Sequence, residues 1–257
     1  MDYKVKEWPS YRNDIIDFLS LSKDRNPIVG IFELDITKAS AIFDEQQDEQ
    51  KNEPNSIMAY LLWCIGQAIK AHPEVQAMKK GNEIILFDDV DISMMIEKDT
   101  GVKNGNQKMP VPYIFRKVQS KSYKEVNQEL QDAKSKDFKT LSKRRKKSKL
   151  YKKLPRFIRL AILKKALSDP FKSKKALGTT ALTSLGMFVK NRKFYPIPIV
   201  PYSCGVAAGS IYSTKEGEQI KKNMCITVTV DHNIVDGGPA SRFTQTLFDI
   251  VEKAEGL

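Results

Sequence analysis

Apolar positions recur along this chain at two different spacings. Between residues 11 and 22, Ile15, Ile16, Leu19 and Leu21 fall near helical spacing, whereas residues 28–37, IVGIFELDIT, alternate β-branched and aromatic side chains as a strand does. A helix is therefore expected to lead into a strand. Residues 57–71 are apolar on almost every side, which predicts a buried helix. Pro73 ends it, because proline disfavours helical geometry in the residue before it. Residues 81–97 read as a turn followed by two strands, and residues 122–133, SYKEVNQELQDA, as an exposed helix. Three β-rich stretches follow at 177–188, 201–211 and 224–230, separated by a proline-punctuated stretch at 195–201 and a turn at Glu216–Gly217. The last element is a helix with Gly238 at its cap and Pro239 in its first turn, where a missing N–H costs nothing. Its stripe is Phe243, Leu247, Ile250, Val251 and Ala254. Strands alternating with helices predict an α/β (α+β) two-layer sandwich, a sheet covered by helices, with no internal repeat.

A length of 257 residues suits a single domain spanning 1–257. The longest apolar run, residues 57–69, is interrupted by Gly66 and Gln67 and falls short of the ~18 residues that cross a bilayer. The opening MDYKVKEWPSYRNDI has neither an apolar core nor a small-residue cleavage site, so the chain is expected in the cytoplasm. Cys64, Cys204 and Cys225 are odd in number and lack Cys-x-x-Cys spacing. That pattern predicts buried, reduced thiols rather than a disulfide framework or a metal site.

Charge divides the chain. Residues 134–175 hold 18 Lys and Arg against two acids, a net of +16 over 42 residues, while the remainder nets −4. The overall charge of +12 therefore describes a segment, not the fold. Nucleic acid is disfavoured as a partner, because Tyr151 and Phe157 are all the aromatic interleaving at the run KRRKKSKLYKK (143–153) and the start of the helix after it. Within the segment, a helix is expected at about 154–167, with Leu154, Phe157, Ile158, Ala161 and Ile162 on one stripe and Leu160, Leu163 and Leu167 off it. One reading is a solvated loop followed by a helix covering the sheet or a neighbouring subunit. Another is docking on an anionic membrane surface, which would make the protein membrane-peripheral.

Only two histidines occur. His72 stands at a helix end, where a basic group suits the negative pole of the dipole, and is read as structural. His232 follows the strand ITVTV and begins HNIVDGGP, placing a group that titrates near neutral pH between a strand end and a helix start. A histidine held there in one tautomer is suited to taking a proton from a thiol or hydroxyl. Asp236, four residues on, is placed either to pair with His232 or to hold the loop through an arginine. Gly237 and Gly238 permit a sharp turn.

The run TVTVDHNIVDGGPASRFTQTLFDIVE resembles the signature of the acyltransferase catalytic domain of 2-oxoacid dehydrogenase complexes, whose relative is chloramphenicol acetyltransferase. Three further stretches, at 10–37, 71–101 and 178–188, are similar to that family in order and spacing. The resemblance implies a chloramphenicol-acetyltransferase-like fold with a mixed sheet. It also implies an acyltransferase that moves an acyl group between coenzyme A and a thiol or hydroxyl acceptor through a ternary complex, with no metal. By the same resemblance His232 is the general base and Asp236 fixes the active-site loop through an arginine near the N-terminus, for which Arg12 is the candidate. Thr183, or alternatively Ser184, donates to the oxyanion. The family's active site lies between subunits of a homotrimer.

Two departures stand out. The chain is expected to begin at the catalytic domain, without a lipoyl or subunit-binding domain, so a lipoyl-bearing acceptor would come in trans. Asn233 replaces the family's basic residue after the histidine, which points to a shifted substrate choice. The basic segment, 134–175, is read as an insertion, and the phosphates of coenzyme A are a further candidate for its charge. The competing functional reading is a non-catalytic oligomeric scaffold with a polybasic arm that binds an anionic membrane or partner.

Overall fold

The computed structural model describes residues 1–9, 11–49, 54–99, 108–136, 151, 154–189 and 191–257. Its centre is a six-stranded mixed sheet in the order β1-β8-β7-β6-β4-β5. The strands are β1 (Pro27–Asp35), β4 (Ile92–Asp99), β5 (Lys108–Phe115), β6 (Thr180–Ser184), β7 (Cys204–Glu216) and β8 (Gln219–Asp231), and β2 (Met78–Lys80) and β3 (Glu83–Ile85) form a separate hairpin. β6 runs parallel to both β4 and β7, while the outer pairs are antiparallel. β5 is hidden in the sequence by Pro110 and Pro112, which cannot donate to a ladder. It is tolerated because β5 is an edge strand.

Helices cover one face of the sheet. α3 (Ile57–Ala71) has the boundaries its apolar run implies, and its Ser56 cap accepts from the Ala59 N–H at 3.4 Å. It is buried on nearly all sides because α7 (Gly237–Lys253) packs against one flank and α4 (Tyr123–Ser135) against another. α7 buries Ala240, Phe243, Leu247, Ile250 and Val251, and the Tyr60 hydroxyl donates to the Ile250 carbonyl at 3.1 Å. α4 begins at a capping box, Ser122 with Glu125, and is half-buried rather than exposed, since Tyr123, Val126, Leu130 and Ala133 enter the core. α2 (Thr37–Glu49), unmarked by any strong apolar period, follows β1 directly.

The opposite face carries a different layer. Residues 192–202 run across β7, and two glycines make the approach possible. A Cβ on Gly186 would stand 1.9 Å from the Gly209 carbonyl oxygen, and one on Gly209 1.8 Å from that of Phe194. On this face Glu33 accepts from Lys193 and Tyr195, each at 2.5 Å. Those donors hold the Glu33 carboxyl at about 2. Asp91 at the start of β4 is likewise held low: burial opposes ionisation, but Lys174 and Arg116, at 2.9 and 2.7 Å, outweigh it. Both folded-state values lie below those of the unfolded chain, so their contribution is complete above the ordinary carboxylate range and is lost as pH falls. We expect the urea midpoint to drop between about pH 5 and 3, and to drop less steeply in Glu33→Gln. Equal slopes in the two proteins would refute the assignment.

Much of the basic segment, residues 137–150 and 152–153, lies outside the described residues. Beyond it come α5 (Arg156–Leu167) and α6 (Pro170–Leu177). α5 lies along α1 (Tyr11–Leu19), and its partner there is a carboxylate: Arg159 Nε reaches the fully buried Asp17 at 2.8 Å, with Arg156 at 3.7 Å. The stripe is divided by this contact, with Leu154 and Ile158 half-buried. Leu160, Leu163 and Leu167, the residues off the predicted stripe, are half-buried, while Phe157, Ala161 and Ile162 of the stripe are exposed. The Asp17–Arg159 pair sets this rotation, because it fixes which side of α5 faces the body. The same pair explains why Asp17 is the buried residue of α1 while Ile15, Ile16 and Leu19 stay exposed.

Candidate active site

β8 ends in Asp231, and the chain turns immediately into the segment that carries His232. The turn is closed by Ile234 and Val235 N–H groups donating to the Asp231 carbonyl, both at 2.9 Å. It is tied to the start of β1 by the His232 N–H, which donates to the Asn26 carbonyl at 2.8 Å. The Asp231 carboxylate, nearly inaccessible, organises the whole junction. It accepts from Arg25 Nη1 at 2.6 Å, Asn26 N at 3.2 Å, Asn233 N at 3.2 Å and Asn233 Nδ2 at 2.9 Å. Arg25 also reaches the Pro201 carbonyl at 3.1 Å. Asn233 completes the clasp by accepting from Asn26 Nδ2 at 2.8 Å and donating to the Asp24 carbonyl at 3.1 Å.

The His232 ring itself is 53% exposed, with Nδ1 3.6 Å from Asp236 Oδ1. Asp236 is the residue before the first turn of α7. Its carbonyl receives the Ala240 N–H at 3.2 Å, while its side chain caps nothing and remains 86% exposed. Of the two placements open to Asp236, the structure therefore has it beside the imidazole. Arg12 does not hold it: the Arg12 guanidinium lies 6.0 Å over the Tyr11 ring, and no ion pair joins Arg12 to Asp236 among the described residues. The arginine that secures this junction is Arg25, acting on Asp231. Sequence reasoning passed over Arg25, Asn26 and Asp231, although Asp231 adjoins His232 and Arg25 precedes β1 by two residues.

Thr183 and Ser184 are half-buried near the end of β6. Thr183 pairs with Ala207 and, through it, lies level with Thr227 and Ile31. Leu182 points into the core, so by alternation Thr183 points to the face away from the helices. His232 stands five residues beyond Thr227 and two strands across, on the order of 15–20 Å from Thr183 by strand arithmetic. A single chain thus does not bring the two together. That outer face also exposes Val29, Ile31, Leu185, Met187 and Phe188.

Beside the histidine turn, Asn233 and Ile234 line a groove of about 310 Å³ with Lys79, Asn82, Glu83 and Ile84 of the β2–β3 hairpin. His72 caps α3 and bonds Thr246 Oγ1 through Nε2 at 2.8 Å, a structural role. Cys64, Cys204 and Cys225 are free and buried, and burial pushes the Cys204 thiol up to about 12 and Cys64 upward too. Buried thiols of this kind are poor nucleophiles. Among the described residues no cluster of three or more His, Cys, Asp or Glu could hold a metal ion. Among them, too, no helix is long and apolar enough to cross a membrane.

Comparison with known proteins places this geometry. Residues 2–148 and 161–257 match the family 2-oxoacid dehydrogenases acyltransferase (catalytic domain), leaving only 149–160 of the basic segment unmatched. The dihydrolipoamide acetyltransferase of Azotobacter vinelandii has a similar structure, with a TM-score of 0.69 at 16% identity over 98% of this chain and 93% of that one. A chloramphenicol acetyltransferase gives 0.52 at 14% identity, over 97% and 98% of the two chains. In sequence, 84 residues are 33% identical to dihydrolipoyllysine-residue acetyltransferase component 5 of the chloroplastic pyruvate dehydrogenase complex of Arabidopsis thaliana. That stretch covers 31% of this chain and 18% of the plant protein. The mixed sheet and its helical layer accompany a family match over nearly the whole chain, and the chain belongs to the 2-oxoacid dehydrogenase acyltransferase catalytic-domain family.

Proposed function

We propose that this protein transfers an acyl group between coenzyme A and a thiol or hydroxyl acceptor, with His232 as the general base. The observation that carries the reading is the setting of the imidazole: Nδ1 faces the Asp236 carboxylate while the exposed ring leaves Nε2 open to a reactant. In the forward step Nε2 takes the acceptor's proton, and the resulting anion attacks the thioester carbonyl carbon. The oxyanion that forms accepts a hydrogen bond from the Thr183 hydroxyl, with Ser184 as the alternative donor. Collapse breaks the carbon–sulfur bond, and His232 returns the proton to the departing coenzyme A thiolate.

The separation of Thr183 from His232 within one chain, together with the apolar outer face, supports a homotrimer in which a second copy supplies the hydroxyl. A lipoyl group on another protein is one acceptor of suitable chemistry, and the cytoplasm is the proposed location. Thiol release from acyl-coenzyme A should depend on an added acceptor, dihydrolipoamide among those tried. Mixing inactive His232→Ala and Thr183→Ala chains and reassembling them should restore about a quarter of native activity, since shared sites combine good halves at random. No release with any acceptor from folded trimers would favour the scaffold reading, for which the basic helices speak. Release without rescue on mixing would place both groups in one chain.

A further inference from the structure

We propose that α5 and α6 form a docking surface for an anionic lipid bilayer. The proposal is independent of the catalytic reading. Across their 20 residues these helices carry seven Lys or Arg and no acid. Arg159 and Lys174 are spent inward, on the buried Asp17 and Asp91. Arg156 reaches toward Asp17, and Lys164 meets Asp24 in solvent. Lys165, Lys172 and Lys175 are exposed, and none makes an ion pair among the described residues.

Charge alone would suit many anionic partners; the apolar groups beside it narrow the choice. The rotation of α5 set by Asp17 turns Phe157 and Ile162 outward, 73% and 45% exposed, on the side that also bears Lys165. α6 adds Phe171 at 55%. Contacts to phosphates alone do not require an exposed isoleucine at a lysine's side. A bilayer interface takes both, because acyl chains receive the apolar side chains while lysine stems extend to the anionic headgroups. α5 has no buried residue of its own, so its outward side is free to be covered without disturbing the core.

The test uses the full chain and flotation with phosphatidylcholine vesicles, alone or with about a third phosphatidylglycerol. Binding is expected on the anionic vesicles only, weakening at least about tenfold as salt rises from roughly 0.05 to 0.5 M. The double variant Phe157→Glu/Ile162→Glu should weaken it at least about tenfold further at low salt, with melting temperature, oligomeric mass and thiol release unchanged. Absence of flotation at low salt would overturn the proposal, as would flotation indifferent to the double variant. A change of oligomeric mass in that variant would also overturn it, by assigning the face to a second copy.

Discussion

Replacing His232 with alanine is expected to lower acceptor-dependent thiol release by about 10²–10⁴-fold, the usual contribution of a positioned general base. The loss should fall on kcat, since the imidazole acts on the proton in flight more than on binding of either substrate. Stability should hardly change. The ring is half in solvent and its recorded side-chain partner is the exposed Asp236, whereas the backbone N–H that ties the turn to Asn26 survives the substitution. An alanine variant with an unchanged melting temperature and more than about a tenth of native activity would move the base elsewhere.

The largest stability effect is expected from Asp231→Ala. That carboxylate is 5% exposed and accepts four hydrogen bonds, one of them from Arg25. Removing it leaves a partly buried guanidinium without its counter-charge and strands three N–H donors, a combination that costs about 3–5 kcal/mol. For a domain of this size the melting temperature should fall by roughly 10 °C. Arg25→Ala should cost less, because the arginine is a quarter exposed and the carboxylate keeps its other three donors. A double-mutant cycle should return a coupling above about 1 kcal/mol. Asp231→Ala within about 1 kcal/mol of the native protein would show that the turn holds itself together without this clasp.

The effect should reach the chemistry. Asp231 orients both Asn26, which receives the His232 N–H, and Asn233 on the other side of the histidine. Thiol release measured well below the melting temperature is therefore expected to fall in Asp231→Ala even among folded molecules. Asn233 braces this turn through its contacts to Asp24 and Asn26.

What could be read from residues alone was whatever depends on near neighbours in the chain. α3 follows from a long apolar run with a proline stop, and α7 from its stripe and Gly-Gly-Pro entry. The His-x-x-x-Asp-Gly spacing placed His232 and Asp236 within one helical turn, and the structure has them 3.6 Å apart. Where local signals conflicted, the reading failed. The prolines of β5 argue against a strand until it is known to be an edge, and the polar residues of α4 argue for exposure until α3 is seen beside it.

The sequence by itself determined the helices and strands with strong periods and the family likeness. Tertiary structure decided everything that rests on partners far apart in the chain. Arg25 meets Asp231 across 206 positions and Arg159 meets Asp17 across 142, and no periodicity or local spacing encodes either meeting. The physical reason is that a carboxylate about to be buried must find a cation wherever the fold brings one, since an unpaired buried charge costs several kcal/mol. That requirement put Arg25 on Asp231 beside the histidine turn. It also fixed which side of α5 faces the body, leaving Phe157 and Ile162 outward.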